Sequence, residues 1–325
     1  MRRSLFAGIG GYLPARSLTN DQLAAEYQLE TSDEWIRERT GIERRHIANA
    51  EETAAFMGAH AARRALAMAG IDATRIDCII VATSTPDQAF PATAVTIQAA
   101  LGITQGFAFD LSAACSGFVY ALSVADAMIR TGQVQAALVI GTEIYSRILN
   151  WQDRGTCVLF GDGAGAALLL ADEQPDDAPP IGVLSTHLHA DGRYGDILYI
   201  DGATGQNDKP QHLVMNGREV FRHAVGKLAG AVEEALKANH LTTADIDWLV
   251  PHQANRRIID AMGKRLNLND NQVVVTVDHH ANTSAASIPL ALAEAINDGR
   301  IKPGHLVLIE ALGGGLTWGS ALIRL

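Results

Sequence analysis

Three residues suited to acyl-thioester chemistry stand just past apolar, strand-like runs: Cys115, His252 and Asn282. Cys115 lies in Ser112-Ala113-Ala114-Cys115-Ser116-Gly117, where the run from Phe107 to Leu111, which reads as a buried strand, gives way to a small-residue helical pattern. A thiol at a helix N-terminus meets unpaired N–H groups and a partial positive charge, which favours thiolate. His252 follows Trp248-Leu249-Val250-Pro251, and open α/β sheets place their chemistry at the carboxyl ends of strands. Asn282 precedes Thr283-Ser284-Ala285-Ala286, a second small-residue helix start. The set supplies one nucleophile and two hydrogen-bond donors. Each member also has a plain structural reading: a small buried cysteine, a loop histidine, an asparagine capping a helix. Cys78 and Cys157 lie inside apolar runs and read as packing residues. His279 and His280 have no carboxylate or third histidine at ligand spacing, so no metal is expected there.

The Gly-rich stretch Ala311-Leu312-Gly313-Gly314-Gly315-Leu316 lacks the GK[ST] of a phosphate loop and opens no helix. Its expected use is close backbone approach to a reacting carbonyl, with a bare N–H for an oxyanion.

The elements that must position these groups alternate short apolar runs with Ala-rich helical patterns, the rhythm of an α/β protein. Ile76–Val81 resembles Ile246–Val250, Leu138–Gly141 resembles Leu308–Ala311, and Ser116 falls opposite Ala286, all at an offset of 170. Gly165–Leu168 echoes Gly319–Leu322 at an offset of 154. A constant offset across three elements predicts two copies of one unit, residues 1–172 and 173–325. The seam is expected in the acidic, Pro-rich Ala171–Pro180. Residues 185–216, rich in Gly, Asp, His and Asn, read as a long excursion over one end of the sheet. Gly8-Ile9-Gly10-Gly11 reads as a strand running into a turn.

The composition, 48% hydrophobic and 19% charged over 325 residues, is that of an ordinary globular protein. A net charge of −10 speaks against bulk binding to nucleic acid or an acidic membrane. Three cysteines without CxxC spacing fit a reduced, cytoplasmic setting better than a disulfide framework. Neither a signal peptide nor a membrane span is expected, since no long uninterrupted apolar run occurs. One basic patch stands out. In Asn255–Leu266, Ile258, Met262 and Leu266 recur every four residues, while Arg257 and Lys264 share the polar face. It reads as a solvated helix face or as a docking site for an acidic protein.

Several ordered segments carry a resemblance. They are Thr31–Ile36, Arg39–Ile42, Thr83–Asp87, Ala113–Phe118, Asp153–Thr156, Phe160–Gly165, His252–Asn255 and Gly313–Gly319. These resemble the thiolase-fold condensing enzymes, and among them the β-ketoacyl-acyl carrier protein synthase III family. The resemblance implies a thiolase-like α/β fold of two duplicated βαβαβαββ halves in a layered α/β/α/β/α core. It implies a decarboxylating Claisen condensation of a short acyl-CoA primer with malonyl-acyl carrier protein. The products would be a β-ketoacyl-acyl carrier protein, CoA and CO2, at the start of type II fatty acid synthesis.

By the same resemblance Cys115 takes the acyl group, and His252 and Asn282 bind the thioester oxygen of the malonyl substrate. Cys115 and Gly314 N–H groups form the oxyanion hole. Trp35 stacks on adenine, with Arg39 and Arg154 on its ring or phosphates. Arg218, Phe221 and Asn255 line the pantetheine tunnel, and Arg218 departs from an Asn found in some relatives. Leu312 lines the acyl pocket, and Phe90 reaches into the partner's pocket across a homodimer. Gln253, Ala254, Asn255, Arg256, Arg257 and Lys264 form the carrier-protein docking site. No cofactor is implied beyond the substrates. Other readings are a specialised synthase making a polyketide, quinolone or alkyl-ketone precursor, a Cys-His hydrolase, and an inactive scaffold of the same fold.

Overall fold

The computed structural model describes residues 1–175, 177–200 and 211–325. The excursion expected over 185–216 thus lies partly, at 201–210, outside the described residues. Its first part is corrected: residues 185–190 belong to a strand.

Two sheets organise the chain. The first contains β1 (Arg2–Tyr12), β2 (Cys78–Ala82), β3 (Phe107–Leu111), β4 (Ala136–Ile144) and β5 (Asp162–Glu173), in the order β1-β5-β4-β2-β3. The second contains β6 (Gly182–Ala190), β7 (Trp248–Pro251), β8 (Leu306–Gly313) and β9 (Thr317–Arg324), in the order β6-β9-β8-β7. In the first sheet β2 pairs in parallel with both β4 and β3, and in the second β7 pairs in parallel with β8; the β1/β5, β4/β5, β8/β9 and β6/β9 pairs are antiparallel. Val273 makes an isolated parallel bridge to Leu249, where β3 would have its counterpart.

The pairing register carries the duplication further. Gly141 pairs with Gly165, and Ala311 pairs with Gly319. These are the positions related by offsets of 170 and 154. The first-half hairpin therefore carries a long connection, residues 145–161, where the second half has only residues 314–316.

Burial follows strand periodicity. On β4, Ala137 and Val139 enter one core cluster while Leu138 and Ile140 enter another, so both faces are covered. Such strands read as continuous apolar runs rather than alternating ones. The outer face of the first sheet packs on α2 (Ala54–Ala69) and α3 (Thr93–Ala100), which follow a short helix α1 (Asp33–Thr40). The outer face of the second sheet packs on α5 (Gly217–Ala238) and α6 (Arg256–Arg265). Between the sheets lie α4 (Gly117–Arg130) and α7 (Ser287–Asn297), whose Phe118, Leu122, Ile288 and Leu292 share one cluster with residues of both sheets. The result is the α/β/α/β/α layering of the thiolase-like fold.

Two local expectations change. Gly8 to Gly11 do not turn; β1 runs through them to Tyr12. The glycines answer to packing, because a Cβ on Gly10 would stand 2.3 Å from the Ala61 carbonyl oxygen of α2. Phe107–Leu111 is a strand, but not a buried one. It is the edge of the first sheet, and Phe107 is 44% exposed.

Gly10→Ala is expected to destabilise the protein by about 1–3 kcal/mol through overpacking. Gly230→Ala, in the interior of α5 with no atom within 4 Å of the added methyl, should stabilise it by about 0.5–1 kcal/mol. Urea unfolding midpoints of the two variants moving in the same direction would contradict this reading of the glycines.

Candidate active site

Cys115 sits in a single 3-10 turn, Ala114–Ser116, that runs straight into α4. Ala114 holds a positive φ of 46°, so the chain leaves β3 in a sharp bend. The second half repeats the device in the turn Ser284–Ala286 before α7, with Ser284 at φ 50°. The two turns pack against each other between the sheets. Gly313, at the end of β8, permits the closest approach: a Cβ there would meet the Cys115 N at 2.6 Å.

A cavity of about 850 Å³ opens over this junction. Cys115, His252 and Asn282 all line it, with Gly314 and Leu312. Trp35, Arg39, Arg154, Arg218, Phe221 and Asn255 line it too, as do Ala254 and Arg257. Residues lining the cavity that sequence reasoning did not single out include Ser84, Tyr145, Leu159, Met215 and Thr317. Tyr145 and Leu159 come from the 145–161 connection and Met215 from a short strand, while Ser84 and Thr317 lie within segments that carry the resemblance without a role of their own.

Hydrogen bonds fix each polar group, from a distant segment for His252 and from the next turn of chain for Asn282. His252 lies at the tip of β7, and its Nδ1 is 2.6 Å from the Ser287 hydroxyl at the start of α7. That hydroxyl also accepts from the Gln253 N–H at 3.3 Å, and its own proton is free to be donated to Nδ1. The neutral imidazole then carries its proton on Nε2. Burial pushes the His252 pKa down to about 3, so the ring is uncharged across the physiological range. Asn282 is set by the Ser284 N–H, which donates to its side-chain oxygen at 2.9 Å and leaves the amide NH2 as a donor. It reaches this place through a helical turn, Val277–His280, rather than directly from a strand.

Three expectations are corrected. Burial pushes the Cys115 thiol up to about 11, despite the helix N-terminus and the Ser284 hydroxyl, so the resting residue is a thiol, not a thiolate. Gln253 is wholly buried and cannot belong to a docking surface. Its side chain instead clamps the loop ahead of Asn282: Nε2 donates to the Pro251 and Val274 carbonyls, and Oε1 accepts from the Thr276 and Val277 N–H groups. His279 and His280 do have a carboxylate beside them. Glu294 of α7 approaches them at 2.8 and 3.3 Å, a neighbour that linear spacing conceals. Asp278 and Glu294 raise the His279 pKa to about 9, and Arg300 takes the other Glu294 oxygen at 3.1 Å. The group forms an ion-pair network, in which the buried His280 Nδ1 is left without a hydrogen-bond partner.

At the mouth, the Arg39 and Arg154 guanidinium groups lie 4.4 and 5.1 Å from the Trp35 ring centre. The Asn255 amide donates to the Arg39 carbonyl, and Arg257 lies 5.3 Å from the Phe221 ring. Arginine planes beside aromatic rings suit a ligand with a planar base and phosphates. Arg256 is exposed and paired with Asp260, and Lys264 is exposed further along α6; neither lines the cavity. Phe90 is 83% exposed and lies outside the cavity of its own chain.

Comparison with known proteins now separates the readings. Residues 109–192 match the family described as 3-oxoacyl-[acyl-carrier-protein (ACP)] synthase III, and residues 236–325 match its C-terminal unit. A β-ketoacyl-[acyl-carrier-protein] synthase III of Acidiphilium cryptum is 76% identical over the full length of both chains. The chain belongs to the β-ketoacyl-acyl carrier protein synthase III family. A Paramagnetospirillum magneticum protein of the same name is 59% identical over 99% of each chain. The solved 3-oxoacyl-[acyl-carrier-protein] synthase III of Aquifex aeolicus superposes with a TM-score of 0.92 at 44% identity, covering 99% of this chain and 100% of that one. As a synthase III, the protein is a condensing acyltransferase that performs the initiating condensation of fatty acid synthesis. The hydrolase, inactive-scaffold and specialised-pathway readings are not favoured.

The His252 geometry gives a pH signature. Its pKa falls from about 6.5 in an unfolded chain to about 3 in the fold. The unfolded state therefore binds more protons between these values. His252 contributes full stability above pH 6.5 and progressively less as pH falls towards 3. Relative to His252→Gln, the wild type should lose up to about 2 kcal/mol between pH 7 and pH 5. Urea unfolding at the two pH values reads the difference, and identical slopes for both proteins would remove the buried neutral histidine from the account.

Proposed function

We propose that the cavity joins the two half-reactions at one thiol, using an acyl-CoA primer and malonyl-acyl carrier protein as substrates. The observation that carries the reading is the convergence of Cys115, His252 and Asn282 on one cavity whose mouth holds Trp35, Arg39, Arg154 and Arg218. In the first half-reaction Cys115 Sγ attacks the acyl-CoA carbonyl, with the Cys115 and Gly314 N–H groups on the oxyanion. CoA leaves with the proton. In the second, the malonyl thioester loses CO2, and negative charge moves onto its thioester oxygen as an enolate. His252 Nε2–H and the Asn282 NH2 stabilise that oxygen. A neutral histidine is essential, because an imidazolium would protonate the carbanion before it reaches the acyl-Cys115 carbonyl.

The entrance binds CoA through Trp35, Arg39 and Arg154, while Arg218, Phe221 and Asn255 follow the pantetheine arm. Leu312 bounds the acyl end. On α6, Arg257 at the mouth and Lys264 on the same exposed face offer positive charge to an acidic carrier protein, with Arg256 and Ala254 beside them. The edge strand β3 supports a homodimer. Its Phe107, with Val95 of α3 and Phe90, leaves apolar side chains exposed along one margin. Phe90 would then complete the pocket of the partner chain. A reduced, cytoplasmic setting agrees with three unpaired cysteines. Among the described residues no helix is long and apolar enough to cross a membrane.

The half-reactions should separate by mutation. Cys115→Ser is expected to form no acyl-enzyme with acyl-CoA, whereas His252→Ala should acylate and then fail to condense. Intact-protein mass and product formation check this. Loss of acylation in His252→Ala would make the histidine a base and end the neutral-donor reading. Trp35→Ala should raise KM for acyl-CoA by roughly 5- to 100-fold with little change in kcat, given stacking worth about 1–3 kcal/mol.

Arg257→Glu should impair condensation with malonyl-acyl carrier protein more than acyl transfer from CoA, and the defect should shrink as salt rises. Equal impairment of both half-reactions would place Arg257 on CoA instead. No effect on either would leave α6 a solvated face.

A further inference from the structure

The two helix-entry turns are related by the internal duplication, and their contents differ in an informative way. Ala114 corresponds to Ser284 and Cys115 to Ala285 at the offset of 170. Both first residues hold nearly the same left-handed conformation, φ 46° and 50°. The strands that abut the turns are exchanged. The end of β8 packs on the Cys115 turn, and the end of β4 packs on the Ser284 turn. At that abutting position β8 has Gly313, which leaves room for the Cys115 backbone. The same offset places Glu143 there on β4. One copy of the device thus carries the thiol, and the other carries a hydroxyl with a carboxylate behind it.

The hydrogen bonds connect them. The turn that carries Ser284 packs on the turn that carries Cys115, the Ser284 hydroxyl acts on the thiol, and Ser284 Oγ donates to Glu143 Oε1 at 3.1 Å. Glu143 is fully buried. Thr85 donates to its Oε2 at 2.6 Å, and the Ser84 N–H donates to both oxygens at 3.1 and 3.2 Å. The titratable groups facing it are Cys115 and Tyr145; the 83–85 loop and the 284–286 turn bring hydroxyls and N–H groups. Tyr145 is buried and its pKa is raised well above the usual value, so it stays protonated. A carboxylate with no cation beside it among these groups is an unusual thing to bury next to a nucleophile.

We propose that Ser284 and Glu143 form the proton relay that activates Cys115 for acyl transfer. The thiol proton passes to Ser284 Oγ as the hydroxyl proton of Ser284 passes to Glu143. The sulfur–carbonyl carbon bond then forms. When the tetrahedral adduct collapses, the carbon–sulfur bond to CoA breaks, and the proton returns along the same path to the departing CoA sulfur. The exchange is balanced: acyl thioester and Cys115 thiol become acyl-Cys115 and free CoA thiol. Burial raises the Glu143 pKa to about 7, which matches a group that must take and return a proton near neutrality. The relay resolves the disagreement between a thiol held at about 11 and its task as nucleophile. It rests on Cys115 being the acylated residue.

The test uses single-turnover acylation by acyl-CoA, followed by intact mass, over pH 5.5–9, with iodoacetamide alkylation of Cys115 as a second readout. Glu143→Gln keeps the size of the side chain and removes the base. Ser284→Ala cuts the link, and Ala114 shows that alanine accepts this backbone conformation. Wild-type acylation should rise with pH through the neutral range. Both variants should acylate roughly 100-fold more slowly and lose that rise, while thermal stability and the condensation rate of enzyme already acylated stay near wild type. Variants that acylate at the wild-type rate with the wild-type pH profile would overturn the relay. A variant slowed equally in both half-reactions, with the pH profile kept, would make Glu143 structural and overturn it as well. If wild-type enzyme forms no acyl-Cys115, the nucleophile assignment fails instead, and the alkylation profiles of the variants still decide whether Glu143 and Ser284 govern the thiol.

Discussion

The packing of two helix entries against one another, in the layer between the sheets, governs most of what this molecule does. The turns at 114–116 and 284–286 meet there, each at the head of an apolar helix and each pressed by a strand from the opposite half. Neither turn can move without disturbing both sheets. Close packing of this kind holds reacting groups within fractions of an ångström, which hydrogen bonds alone at a surface would not achieve. The requirement for close approach also explains Gly313. Any side chain at that position would separate Cys115 from the loop that carries Gly314.

Around this junction His252 is held from outside its own segment and Asn282 from within it. Ser287 of α7 orients the histidine of β7, the backbone of Ser284 orients Asn282, and Gln253 ties the β7 tip to the loop ahead of Asn282. Each fixing partner is a neutral hydroxyl, amide or N–H. Neutral partners leave the His252 ring uncharged, whereas a carboxylate in the place of Ser287 would favour the imidazolium. The enolate oxygen of the proposed mechanism calls for donors without acidity, and the surroundings of His252 suit that role by burial and by the choice of partner. The mouth follows the opposite logic. Arginines stand exposed beside aromatic rings, where charge is cheap to keep and useful for phosphates.

Much of the fold was legible because duplication leaves a ruler in the sequence. The offset of 170 relates β2 to β7 and β4 to β8, and the pairing of Gly141 with Gly165 and of Ala311 with Gly319 extends it to the hairpins. The Cys115, His252 and Asn282 cluster was legible because each residue stands in a motif at an element boundary. What stayed hidden were partners contributed by folding. Nothing near His279 in sequence announces Glu294, and nothing near Cys115 announces Glu143. Gln253 was misplaced on the surface for a related reason, since a polar side chain beside a basic helix gives no sign that four backbone groups will enclose it. The exposure of Phe107 was hidden too, because an edge strand and a buried one can share the same apolar composition. The thiolate expectation failed where a local dipole argument met the desolvation of a dry cavity, a cost visible only in three dimensions.

The single cavity that holds Cys115, His252 and Asn282 has a consequence for the order of events. On the proposed mechanism, an acyl carrier that delivers its group to the thiol and a second carrier that delivers a carbanion must each thread an arm to the same few atoms. Two arms cannot occupy that space together. The first must be withdrawn before the second enters, and the acyl group stored on sulfur is the only memory that the first visit took place. An enzyme working by that scheme is committed to alternate between two forms, empty and loaded, each competent for one visitor. An excess of either carrier then crowds the form that awaits the other, so the balance between the two pools, as much as the abundance of either, sets how fast chains are begun.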